Sequence, residues 1–115
     1  MTTISMITIY IAGKVTDVPV ADRTKKFQEA QNMLEKRGFK VINPIKLIAD
    51  PRTNWHEAMD VCLVALKQCD AIYMLPCSVD SAGAQLELQH ALDLNMDIYY
   101  ELENVEDGTT DDLSS

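Results

Sequence analysis

Residues 71–76 are Ala-Ile-Tyr-Met-Leu-Pro, and residues 80–87 are Asp-Ser-Ala-Gly-Ala-Gln-Leu-Glu. The first stretch is an unbroken apolar run, which is typical of a strand buried on both faces. The second begins with a helix-capping serine and small residues, which predicts a turn followed by a helix. Such a turn places backbone N–H donors and the carboxylate of Glu87 together at the carboxyl end of a strand. Open α/β folds bind their ligands at this edge.

The same alternation of strand and helix runs along the rest of the chain. Apolar runs predict strands at residues 6–12, 39–42, 71–75 and 97–100. Helices are predicted to begin near Asp22, Asn54 and Ser81, and the residues between 45 and 53 are predicted to form a loop. This order predicts one α/β domain over residues 1–102, a parallel sheet of four to five strands with helices on both faces. Right-handed crossovers would bring the three strand-to-helix loops to one end of the sheet.

Composition and charge exclude several classes of protein. The chain has 115 residues and a formal net charge of −8, yet six of its 18 acids lie among the last 15 residues. We therefore expect an acidic, disordered tail at residues 103–115 and a nearly neutral domain. No basic stripe indicates duplex nucleic acid, no apolar run approaches a membrane span, and no signal peptide is recognisable, so we expect a cytoplasmic protein.

The three cysteines are Cys62, Cys69 and Cys77. Their odd number and the lack of a close pair argue against a disulfide framework and against a zinc site, so no metal is expected. Cys62 and Cys69 are seven residues apart, which would allow them to share a face of one helix. We interpret both as small core residues.

Glu87 is the strongest candidate for a functional side chain. On a helical wheel it lies about 60° from Ala84 and about 40° from Ala91, beside an apolar stripe predicted at Ala84, Leu88, Ala91 and Leu92. A carboxylate there needs a partner or a function, and an acid that only pairs locally is the alternative. Tyr10 lies near the end of the first strand. Its hydroxyl can reach such an acid, although a strand tyrosine with an ordinary partner is commoner.

Other candidates surround the predicted strand ends. Ser81 and Gly83 suit a phosphate or sugar oxygen, although a capping serine with a small packing residue is the more frequent case. Gly13 and Lys14 follow the first strand, where the lysine can meet an anion, but they form no phosphate-binding motif. Trp55 either packs in the core, which we favour, or stacks on a base.

Taken in order, several segments resemble the small DUF4406 proteins, over roughly residues 7–101. They are residues 9–13, Asn43-Pro44, Trp55 with Met59, residues 69–76 and the pattern Asp80-Ser81-x-Gly83-Ala84-x-x-Glu87. These proteins are similar to nucleoside 2-deoxyribosyltransferases and to deoxynucleoside 5′-monophosphate N-glycosidases. The resemblance implies a Rossmann-like or flavodoxin-like domain that forms dimers or larger homo-oligomers and needs no cofactor.

The resemblance also implies roles for individual residues. Glu87, four residues after Gly83, matches the nucleophile that attacks C1′ of the deoxyribose, and Tyr10 matches the tyrosine that orients it. Ser81 matches a contact to the 5′-phosphate. Gly13 and Lys14 would line the same pocket, and we include Asp80 and Trp55 among the predicted substrate contacts.

One position departs from the pattern. The active enzymes carry an aspartate that binds or protonates the base where this chain has Cys62, and Asp60 is about 200° away around the helix. We therefore expect either an enzyme acting on the N-glycosidic bond of a nucleoside or its 5′-monophosphate, or a protein that binds and sequesters a nucleotide signal, as in a phage. An assembly or adaptor protein is a third hypothesis.

Overall fold

Four parallel strands form the sheet around which the chain is organised. The computed structural model describes residues 7–48, 50 and 52–100. Within them the strands are β1 (Thr8–Ala12), β2 (Lys40–Ile42), β3 (Ala71–Met74) and β4 (Asp97–Tyr99), in the spatial order β2-β1-β3-β4. This confirms the predicted α/β class with the smaller number of strands. The predicted tail at residues 103–115 and the predicted start of the first strand at Met6 lie outside the described residues.

The helices begin largely where the capping residues predict. They are α1 (Val20–Lys36), α2 (Pro44–Leu47), α3 (Trp55–Lys67) and α4 (Ala82–Asp93), and Pro76–Asp80 forms a 3-10 helix. The side chain of Asn54 accepts from the Glu57 N–H at 2.9 Å, and Ser81 Oγ accepts from the Ala84 N–H at 3.1 Å. Both are N-caps that satisfy donors which the helix itself leaves open. Of the described helices, none is long and apolar enough to cross a membrane.

Alternation along the central strand β1 divides the core into two halves. Ile9 and Ile11 face α1, where they pack with Phe27 and Leu34. Tyr10 and Ala12 face the other side and belong to the core half that includes buried residues of α3 and α4. Because successive strand residues point to opposite faces, helices cover both sides of the sheet, as predicted.

Four details differ from the sequence predictions. Residues 45–53 were expected to form a loop, but the chain first forms α2, because Asn43 caps it and Pro44 suits its first turn. Cys69 lies beyond the end of α3, although it is buried with Cys62. Leu92 is 52% exposed, so it lies outside the buried stripe of α4. Trp55 is 42% exposed rather than packed in the core, and it is the first residue of α3.

The strand order creates a crevice at the carboxyl end of β1. The chain leaves β1 through α1 to reach β2 on one side, and it returns past β1 through α3 to reach β3 on the other. The loops after β1 and β3 therefore diverge at a topological switch point, where open parallel sheets bind ligands.

Two neighbouring side chains of α1 provide a test of the packing. Leu34 is fully buried, whereas Met33 is 36% exposed. We expect Leu34→Ala to lower the free energy of unfolding by about 2–5 kcal/mol, since it leaves a cavity in the core, and Met33→Ala to change it by less than about 1 kcal/mol. Urea denaturation measures both, and equal losses would contradict the assigned face of α1.

Candidate active site

A cavity of about 470 Å³ opens at the switch point. Residues after β1 and on α1 line one part of it, namely Gly13, Val15, Thr16, Val20, Arg23 and Thr24. The part formed by the chain after β2 and by α3 and α4 is lined by Pro44, Ile45, Ile48, Thr53, Trp55, Ala58, Met59, Cys62, Ser81, Gly83, Ala84 and Glu87. This volume lies within the range of about 300–1,000 Å³ found for small-molecule sites.

Glu87 lines the cavity from within the buried face of α4. Its residue is only 5% exposed, and its neighbours on that face, Ala84 and Ala91, are buried as well. The helical wheel predicts Glu87 beside the apolar stripe of α4, whereas in the structure Glu87 belongs to the buried face itself. A carboxyl group in such surroundings is unfavourable unless a hydrogen-bond donor meets it.

Tyr10 provides that donor. Its hydroxyl donates a hydrogen bond of 2.6 Å to Glu87 Oε2, across a sequence separation of 77 residues. The bond forms because Tyr10 points from β1 toward the face on which α4 packs. Among the residues that the structure describes, no donor meets the other oxygen, Oε1. One oxygen of Glu87 is therefore held, and the other is without a donor in the described part of the chain.

Burial dominates the ionisation of this pair. It raises the pKa of Glu87 to about 7, and the hydrogen bond from Tyr10 opposes the shift. The pKa of Tyr10 lies well above its usual value, first because of burial and second because of the nearby Glu87 carboxylate. At neutral pH the tyrosine is thus a neutral donor, and Glu87 titrates near pH 7.

Cys62 completes the buried cluster. It lies on α3, is 5% exposed and packs in the same core cluster as Tyr10. Burial raises the pKa of the Cys62 thiol, so the group is protonated and uncharged at neutral pH. The side chain at the position of the expected acid therefore shares a core cluster with Tyr10 and the cavity lining with Glu87, and it is a neutral group.

The first turns of α3 and α4 meet at the cavity. A Cβ added to Gly83 would lie 3.1 Å from Met59 Sδ and 3.5 Å from Trp55 Nε1, so the missing side chain permits this approach. Ser81 caps α4 at the same place. The predicted contacts Ser81, Gly83 and Trp55 are thus brought together with Glu87 around one cavity.

The remaining predicted residues are Gly13, which lines the cavity as expected, and Lys14 and Asp80, which do not line it. Gly13 is also a packing requirement, because a Cβ there would lie 2.7 Å from Leu75 Cδ1. The Lys14 N–H instead donates to Cys77 Sγ at 3.3 Å, and Asp80 ends the 3-10 helix before α4.

Arg23 is the lining cation that sequence reasoning missed. Its Nη1 donates to the Val15 carbonyl at 2.8 Å and to the Val18 carbonyl at 3.4 Å, which ties the guanidinium to the loop after β1. The only signal in the sequence was an arginine in the first turns of the helix that follows this loop. Among the described residues, no cluster of three or more His, Cys, Asp or Glu is arranged to hold a metal ion.

The strand order, the helices on both faces and the cavity at the switch point define a flavodoxin-like α/β protein with a site of small-molecule size. The sequence model of the family described as a domain of unknown function, DUF4406, matches residues 7–100, and the chain belongs to this family. This match confirms the family that the sequence motifs predict. A search of the curated proteins gives no match.

The raised pKa of Glu87 predicts a pH-dependent stability. Between pH 4.5 and 7 the folded state holds a proton that the unfolded state releases, so stability falls as the pH rises through this window. Glu87→Gln removes this titration. Urea denaturation at pH 5 and at pH 8 gives the free energy of unfolding of the variant minus that of the wild type. We expect this difference to be about 2–3 kcal/mol more positive at pH 8 than at pH 5. The exposed Glu29→Gln serves as the control, and an identical trend in that variant would contradict the assignment.

Removal of the Tyr10 hydroxyl tests the hydrogen bond. Because the bond lowers the pKa of Glu87, we expect Tyr10→Phe to move that pKa above about 7. The Glu87 carboxyl carbon, followed by NMR during a pH titration, measures the shift. Tyr99→Phe, on the half-buried strand β4, is the matched control, and an unchanged midpoint in Tyr10→Phe would show that the bond does not control the acid.

Proposed function

We propose that this protein acts on the N-glycosidic bond of a nucleoside, deoxynucleoside or 5′-monophosphate, with Glu87 as the nucleophile. One observation carries the proposal: a buried carboxyl group lines the cavity, with Oε2 fixed by Tyr10 at 2.6 Å and Oε1 without a described donor. A nucleophile needs this combination of fixed direction and accessible lone pair.

The reaction would proceed through a covalent intermediate. Oε1 attacks C1′ of the sugar, and the bond between C1′ and the base nitrogen breaks with its electron pair moving to the base. Tyr10 holds the carboxylate in the direction of attack. Water or a second base then attacks C1′ and restores the carboxylate. Attack requires the ionised form, which a carboxyl group with a pKa of about 7 provides in part at neutral pH.

The surroundings of Glu87 suit the rest of a nucleotide. Ser81 and Gly83 lie at the amino-terminal end of α4, where backbone N–H groups favour an anion such as a 5′-phosphate. Arg23 offers a positive charge elsewhere in the cavity lining. Trp55 presents an exposed aromatic ring on which a base can stack. We propose these roles together with a similarity to nucleoside 2-deoxyribosyltransferases and monophosphate N-glycosidases, in which the matching residues have the same roles.

Cys62 favours a second candidate function, the binding of a nucleotide without turnover. Retaining glycosidases protonate the leaving group with a second carboxyl group. The side chain beside the Tyr10–Glu87 pair is instead a neutral thiol. A cavity that binds a nucleotide but lacks a carboxylic acid to protonate the leaving base would hold the nucleotide without cleaving it.

Release of free base distinguishes the two functions. The full chain is incubated with deoxynucleosides and their 5′-monophosphates, and liberated base is quantified by chromatography. We expect release by the wild type and a loss of about 1,000-fold or more in Glu87→Gln, because the amide cannot form the glycosyl ester. Glu29→Gln, an exposed substitution on α1, should retain the wild-type rate.

Release that persists in Glu87→Gln would overturn the proposed mechanism. No release together with tight nucleotide binding by calorimetry would support the second candidate. Neither release nor binding would exclude both and leave an assembly or adaptor role.

A further inference from the structure

Among the described residues that line the cavity, one carboxyl group is present, and it is the one bonded to Tyr10. Of the described lining residues, Glu87 is the only acid, and the lining residue Cys62 belongs to the same core cluster as Tyr10. Met59 and Ala84 add apolar surface there. The positive charge of Arg23 belongs to α1, which packs on the opposite face of the sheet.

This arrangement restricts the leaving group. A base in an uncharged nucleoside departs as an anion unless an acid protonates it, and such general acid catalysis contributes about 100- to 10,000-fold. A base attached through a pyridinium nitrogen already carries a positive charge. When its bond to C1′ breaks, the electron pair neutralises the ring, and the base departs as a neutral molecule without any proton.

We infer that the substrate class of this site is an N-glycoside of a pyridinium base, an inference that rests on the proposed function. Glu87 Oε1 forms a bond to C1′ while the bond from C1′ to the pyridinium nitrogen breaks, which yields a glycosyl ester and a neutral pyridine. Water then attacks C1′, the ester bond breaks to restore the carboxylate, and the proton of the water goes to solvent.

Recognition of a cationic ring agrees with the charges and surfaces around Glu87. The Glu87 residue is only 5% exposed, so the attraction of its carboxylate to a nearby cation is weakly screened by water. A cation near it also favours the ionised form that the attack requires. Trp55 lines the same cavity and is 42% exposed, which leaves its ring accessible for a cation–π contact.

A pair of probes that differ mainly in charge tests the inference. The full chain is incubated with nicotinamide mononucleotide and, separately, with its reduced form, whose ring is uncharged and of nearly the same size. Deoxyadenosine and deoxycytidine 5′-monophosphates, whose bases are uncharged, are the second comparison. We expect release of nicotinamide from the oxidised probe at least about 100-fold faster than release of base from the other three. Glu87→Gln should abolish it, and Glu29→Gln should not change it.

The possible failures are distinguishable. Release of adenine or cytosine at an equal or higher rate would overturn the pyridinium inference and leave the proposed function standing. No release from any probe would overturn both. Nicotinamide release that persists in Glu87→Gln would also overturn both, because the bond would then break without the nucleophile.

Cys62 offers a second test that does not depend on loss of activity. Cys62→Asp introduces a carboxyl group into the same core cluster as Tyr10, and we expect it to increase the rate on nucleotides with uncharged bases, relative to nicotinamide mononucleotide, by at least about 10-fold. Cys62→Ser, which adds no acid, should leave this ratio unchanged. A folded Cys62→Asp variant with the wild-type preference would contradict the role assigned to the neutral thiol.

Discussion

The hydrogen bond from Tyr10 to Glu87 is the interaction on which the site depends. It joins the central strand to the last helix at 2.6 Å, and it is the one described side-chain contact that makes the burial of a carboxyl group tolerable. It also fixes the orientation of the carboxyl group, because it holds Oε2. Burial remains the stronger influence on the acid, since the pKa of Glu87 rises to about 7 despite this donor. A group so placed reduces stability at neutral pH, which is common at functional sites.

The strand order explains why this pair lies beside a cavity. Because the chain runs from β1 first to one side and then to the other, the segments after β1 and β3 separate at their carboxyl ends. Gly13 and Gly83 allow close packing beside the cavity, because neither has a side chain. The backbone of Gly13 lies close to Leu75, and that of Gly83 lies close to Met59. The same topology places Arg23 on one side of the sheet and Glu87 on the other, so that the cavity has chemically different parts.

Local patterns predicted the features that depend on neighbouring residues. The caps at Asn54 and Ser81 are confirmed because an N-cap involves only three or four consecutive residues. Predictions failed where distant elements decide the environment. The exposure of Trp55 depends on where α3 begins relative to the sheet, and the exposure of Leu92 depends on which face of α4 meets β1 and α3. Apart from its place in the first turns of the helix after β1, nothing in the sequence indicated that the Arg23 side chain would reach the cavity.

The sequence by itself determined the alternation of strands and helices, the parallel sheet, and the family match over residues 7–100. These follow from apolar periodicity and helix signals, which are short-range properties of the chain. Only the tertiary structure decided that Glu87 is buried rather than solvated, that Tyr10 donates to it, and that the neutral thiol of Cys62 lies beside them. The reason is physical: burial and hydrogen bonding between residues 77 positions apart arise only when the strand and the helix pack.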